Sequence, residues 1–209
     1  GSLGGGGVVE KEGEYHFEIA DVVAERKADE FGVDRPHAIR FDMVVLHTDR
    51  KQSPEQSRHF HRIYPFSPAE GAKKSIARFG LGLMLMKKIE RNGKQIPVDA
   101  KTGIPSFNLA FWKQAKGMQC VAKVRMEEDK TGQYQTRYQI PFGEVHHVHD
   151  PRVADVPKNA EMASLVPVPP EFSEQAVTPK PPTQPAANQP PAPPAPPAQQ
   201  AAADEFGEL

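Results

Sequence analysis

Cysteine is nearly absent from this chain: Cys120 is the one thiol. It excludes an intramolecular disulfide, and it excludes any zinc finger or ribbon built on several cysteines. Tryptophan is equally scarce, with Trp112 alone. No apolar run approaches the roughly 20 residues of a membrane span, and the opening GSLGGGG carries neither the charged nor the apolar part of a secretory signal. These absences lead to the expectation of a cytoplasmic protein without a membrane partner. The sequence also holds no Walker loop, no G-x-S-x-G elbow, no GxGxxG after a strand and no HExxH pair. The carboxylate run Glu127, Glu128, Asp129 sits beside a turn without a basic or histidine partner in sequence, which reads as a solvated hairpin end and not an acid/base pair. A non-catalytic protein without a cofactor is expected.

Proline is scarce in one part and abundant in another. Of 22 prolines, 15 follow Asp150. Residues 151–209 carry almost no periodic apolar pattern, and such a segment cannot bury enough surface to offset its ordering entropy. The expected organisation is a flexible N-terminus over 1–11, a domain over 12–150, a Pro/Ala/Gln-rich disordered linker over 151–203 and an acidic tip over 204–209. A domain of that length can build a real core. Charge is segregated in the same way. The formal net charge is -1, yet residues 50–125 hold 16 Lys/Arg against Glu55, Glu70, Glu90 and Asp99. A basic middle between acidic ends can attract a polyanion through counterion release.

Within that basic block, Ser57 to Lys74 (SRHFHRIYPFSPAEGAKK) runs from a strand into a helix. A period of two puts Arg58, Phe60, Arg62, Tyr64 and Phe66 on one face and His59, His61 and Ile63 on the other. Guanidinium groups alternating with flat rings match a single nucleic-acid strand, whose phosphates want cations and whose unstacked bases want aromatic planes. The competing reading sends the rings into a core with the arginines at its rim, and the strand by itself does not choose. Ser67, Pro68 and Glu70 spell a helix start with Ser67 as N-cap. Ala72, Ile76, Phe79 and Leu83 then share one face, leaving Lys73, Lys74 and Arg78 beside the strand or on a solvated side.

The remaining elements follow from periodicity and turn chemistry. Tyr15, Phe17 and Ile19 mark a first strand toward Ala24, and Ile39, Phe41, Met43 and Val45 a second over His37–Thr48. Asn92-Gly93 predicts a small basic hairpin within Lys87–Val98. Ser106 is the expected cap of a short helix through Phe107, Phe111 and Trp112. Met118–Glu127 and the segment through Tyr138 and Ile140 form the closing pair, with Cys120 as inert core. Histidine pairs such as His59/His61 and His146/His147/His149 lack the cysteines or HExxH spacing of a metal site, so none is assigned. Three strands, a helix, an irregular insert and two strands is the order of a five-stranded OB-like barrel with a helix between its third and fourth strands. Such barrels bind oligonucleotides on the face of strands two and three.

Gly13-Glu14-Tyr15 with its strand, the strand HAIRFDMVV, and FWKQAKGMQCVAKVRMEEDKTGQYQTRYQIPF together resemble the phage-encoded single-stranded-DNA-binding-like proteins, long catalogued as a domain of unknown function. The resemblance covers roughly residues 12–145. It implies an OB-like fold, a role in phage replication or recombination in a host cytoplasm, and recombinase or helicase partners, with homo-oligomerisation left open. The C-terminus is similar to those of bacterial single-stranded-DNA-binding proteins, in which a low-complexity linker ends in an acidic tip that docks on replication proteins. Here Asp204, Glu205, Phe206, Glu208 and Leu209 would serve, although Gly-Glu-Leu replaces the usual Pro-Phe end. The expected function is therefore coating of single-stranded DNA. Arg58, Arg62, Lys73, Lys74 and Arg78 would hold phosphates, while Phe60, Tyr64 and Trp112 would stack bases. The alternative is a protein–protein adaptor whose basic domain docks an acidic partner, with an RNA-binding chaperone as a third reading.

Overall fold

The computed structural model describes residues 8–48, 58–105, 107–127, 137–141 and 143–175, and it is mainly β. Strands β1 (Gly13–Ala28), β2 (Asp34–Thr48) and β3 (Arg58–Ile63) come first, followed by helix α1 (Glu70–Gly82). The hairpin β4 (Met86–Arg91) and β5 (Lys94–Asp99), the short helix α2 (Leu109–Lys113) and strands β6 (Gln119–Glu127), β7 (Arg137–Gln139) and β8 (Val145–His147) complete the β region. Helices α3 (Ala160–Ser164) and α4 (Pro170–Gln175) follow a single 3-10 turn at Pro151–Val153.

One antiparallel sheet has the order β3-β2-β1-β6-β7, with β8 also paired to β6, and β4-β5 forms a separate ribbon. The alternation in β2 explains its placement: Ile39, Phe41, Met43 and Val45 are buried, while Arg40, Asp42 and Val44 face outward. Register shifts in the β1–β2 ladder fall at His16/Phe17, Ile19/Asp21 and Glu25/Arg26, and each such bulge sharpens the local twist. The sheet curls so that its two end strands, β3 and β7, line one cleft. Among the described residues no backbone hydrogen bond joins them. The described residues thus form an open, mainly antiparallel sheet, a coarser result than the OB-like five-stranded barrel expected from the order of elements.

The core lies inside the curl, where Phe17, Ile19, Phe41, Met43, Phe79, Leu83 and Trp112 pack together. Helix α1 reaches this core through glycine. A Cβ on Gly82 would run into the Val145 carbonyl, and one on Gly80 would meet the Met86 side chain. What looks in sequence like a weakened helix end is the surface through which α1 docks on β8 and β4.

Local turn chemistry accounts for several boundaries. Asn92 (φ 52°) and Gly93 (φ 71°) make the tight β4–β5 turn that the Asn-Gly pair predicts. The expected Ser67 N-cap is not used: α1 starts after Ala69 without a side-chain cap, and Ser67 Oγ instead accepts from the Ala69 N–H at 3.3 Å. Similarly, Asn108 caps α2 by accepting from the Phe111 N–H at 3.0 Å, in place of Ser106.

Two terminal expectations are corrected by packing. Within the N-terminus expected to be flexible, Val9 is fully buried and its N–H donates to the Arg58 carbonyl at 2.8 Å. Residues 151–175, expected as the start of a linker, instead carry α3 against β1 and β6, and α4, whose Phe172 ring lies 5.8 Å from that of His147 in β8. The Asn159 N–H donates to His16 Nδ1 at 3.2 Å, and the Gln119 side-chain amide donates to the Met162 carbonyl at 2.9 Å. Because Nδ1 of His16 accepts, its Nε2–H donates to Gln119 Oε1 at 2.9 Å. This strap is held by polar bonds, which composition does not reveal.

Candidate nucleic-acid interface

The alternation of β3 settles which of its faces is inside. His59, His61 and Ile63 are buried, whereas Arg58, Phe60 and Arg62 point outward. The chain continues with Tyr64 at 40% exposure and Phe66 at 58%. The rings of this segment are thus not core residues. The histidine face is covered instead by Phe41 of β2 and by Phe79 of α1, whose ring stacks on His61 with centroids 4.6 Å apart.

Neighbouring strands complete the outer face. In the β2–β3 ladder Arg40 stands opposite Arg62 and Asp42 opposite Phe60. The Arg62 guanidinium donates to both Glu25 oxygens, at 2.8 and 3.0 Å. Arg40 donates to Asp42 at 2.6 and 3.2 Å and to Glu25 at 3.2 Å, and its guanidinium lies 5.3 Å from the Phe60 ring centre. Hydrogen bonding from Arg62 is the main reason the Glu25 carboxyl is held below the usual carboxylate range. Two acids thereby offset two of the three arginines, so Arg62 is pre-positioned but not an unoccupied phosphate site.

This face borders the cleft between β3 and β7, with a volume of about 810 Å³. Clefts of roughly 300–1,000 Å³ are the usual size for small-molecule or nucleotide-sized ligands. Phe60, Arg62 and Tyr64 form one wall together with His59 and His61, and Arg137, Tyr138 and Gln139 form the other. Helix α1 presents Gly71, Ala72 and Ser75 to it. Burial holds the His59 ring at about 4 and the His61 ring at about 3, so both are neutral at pH 7.

The structure thus brings Phe60, Arg62 and Tyr64 together, with Arg58 next along the same strand. Lys73, Lys74 and Arg78 are exposed on α1 but do not line the cleft, and Lys74 pairs with Glu70 at 3.5 Å. Trp112 is a correction: it is fully buried among Phe41, Phe79 and Phe111 and has no surface on which to stack a base. The tip residues Asp204, Glu205, Phe206, Glu208 and Leu209 lie outside the described residues. Sequence reasoning missed Arg40, Arg137 and Tyr138, because their approach to β3 depends on sheet curl and register and not on spacing.

Burial pushes the Cys120 thiol up to about 12, in keeping with an inert core position. Among the described residues no three His, Cys, Asp or Glu side chains converge on a metal-sized site, and no helix is long and apolar enough to cross a membrane. No protein-family model matches the chain, and no curated protein sequence matches it.

Proposed function

We propose that this protein binds single-stranded nucleic acid, DNA above all, without catalysis. The observation that carries the reading is the outward face of β3, where Phe60 and Tyr64 alternate with Arg62 at the mouth of the cleft shared with β7. A strand tracking this face would stack bases on the two rings and place phosphates at Arg58 and Arg62, with Lys73, Lys74 and Arg78 extending the positive rim. The strand order, with α1 following β3, is that of an OB-type barrel left open between its third and fifth strands, and we read the fold that way. The phage-type replication role and the recruitment of partners through the acidic tip belong to this same proposal.

Fluorescence anisotropy of labelled oligo-dT over a salt series tests it. Tight binding that duplex DNA does not compete away is expected, with a log-log salt slope of about -0.7 per phosphate contacted. Absence of binding at low salt would sink the proposal and favour the protein–protein adaptor. Phe60→Ala and Tyr64→Ala should each cost about 1–3 kcal/mol of binding and leave the melting curve nearly unchanged, because neither ring is in the core. An adaptor that docks through charge alone would tolerate both truncations.

Glu25→Gln gives a test of opposite sign. Removing this carboxylate releases Arg62 and Arg40 toward phosphate, so affinity at low salt should rise and the slope steepen by about 0.7 for each phosphate gained. Because the pair is partly exposed, the stability cost should be about 0–1 kcal/mol. Unchanged or weaker binding would show that the strand does not reach these arginines.

A further inference from the structure

Polar groups buried in the wall of the cleft between β3 and β7 are left unused by the fold. His59 Nδ1 and Nε2 and His61 Nε2 are buried without a hydrogen-bond partner, on rings only 2% and 9% exposed. Both residues contribute to the cleft wall. Buried polar atoms are nearly always paired, so two neighbouring imidazoles without partners on one wall call for a ligand that supplies them. The flat side of His61 is already taken by Phe79. Its Nε2, on the ring edge, is the atom without a partner.

We propose that the cleft takes one nucleobase out of the bound strand, edge first, with His59 and His61 reading its hydrogen-bonding edge on the inward side of β3. This rests on the single-strand reading and adds base recognition to it. The chemistry selects a base over other occupants. Each neutral imidazole offers one donor and one acceptor, and a base edge offers the same alternation in one plane. A phosphate offers only acceptors, and an apolar ligand would leave the nitrogens as they are. With no backbone bond joining β3 to β7 among the described residues, the seam can widen to admit the ring. Stacking on rings tolerates any sequence, whereas edge reading confers a base preference.

The test uses the full chain with ring-¹⁵N histidine and homo-oligonucleotides of dT, dC and dA. One base should bind about 5- to 150-fold more tightly than the weakest, and its binding should move the His59 and His61 ring resonances. The double variant His59→Leu/His61→Phe should bind all three alike, at the level of the weakest. Preference that survives in the folded variant, or equal binding of all three by the wild type, overturns base reading and leaves strand binding standing. If the variant does not fold, ring resonances unmoved by every bound oligonucleotide overturn it equally. Failure of every oligonucleotide to bind would remove both proposals.

Discussion

Lowering the pH from 7 to 5 should cost this protein about 4 kcal/mol of folding stability through His59 and His61 alone. Burial depresses both rings from 6.5, His59 to about 4 and His61 to about 3. Between those values and 6.5 the unfolded chain binds protons that the folded chain refuses, so stability rises with pH across the window. It is whole above pH 6.5 and drains as pH falls toward the folded-state values. At pH 5 the unfolded state has gained about 1.5 units of protonation advantage per ring, or about 2 kcal/mol each. His16 and His147, each lowered to about 4 chiefly by burial, act in the same direction. An ordinary domain has roughly 5–15 kcal/mol in total, so acid unfolding should begin near pH 5, before the carboxylate pairs titrate.

Urea melts followed by circular dichroism at several pH values between 7 and 5 would measure this as a falling midpoint at constant slope. The double variant His59→Leu/His61→Phe should flatten the dependence. It should also be at least as stable at pH 7, since it removes buried nitrogens that have no partner. A wild-type midpoint that does not move between pH 7 and 5 would show that these rings find solvent or a partner in solution. The same variant is expected to lose base preference. Stability and recognition then pull in opposite directions at these two positions, as they do where a binding site keeps polar groups that a core would replace.

How much of this was legible in sequence follows the range of the forces involved. The β4–β5 hairpin was readable because Asn92 and Gly93 carry its turn within two residues. The two faces of β3 were readable as sets, since a period of two needs no tertiary information. Which set is buried was not: both faces hold rings, and the decision belongs to Phe41 and Phe79 on other elements. The Arg40–Glu25–Arg62 network was invisible for the same reason. Arg40 and Arg62 are brought level by the β2–β3 register, and Glu25 arrives from the far end of β1. Ser67 failed as a cap because it closes a turn onto the Tyr64 carbonyl and the backbone is still extended at Ala69, so the local motif lost to the geometry of the approach from β3. The strap over 151–175 escaped because Asn159, Gln119 and His16 hold it, and hydropathy does not register such bonds.

Trp112→Ala should destabilise the fold by about 3–5 kcal/mol and reduce nucleic-acid binding only through unfolding. The sequence reading placed this ring with Phe60 and Tyr64 as one that would stack bases. The fold turns it the other way. Its ring meets Phe111 edge-on at 4.9 Å and Phe41 edge-on at 5.7 Å, with Phe79 at 6.2 Å, so one side chain ties α2 to β2 and α1. Truncation opens a cavity at that junction and leaves Phe111 as the remaining buried side chain of the five-residue α2. Trp112→Phe should cost far less, because most of the ring volume stays and the unpartnered indole N–H is removed. The chain carries one tryptophan, so its fluorescence reports on this site without interference. Emission should be blue-shifted, resistant to quenching by acrylamide, and unchanged when an oligonucleotide fills the cleft. Strong quenching by a bound single strand would instead mean that Trp112 reaches the base stack, and the interface would have to be redrawn around α2.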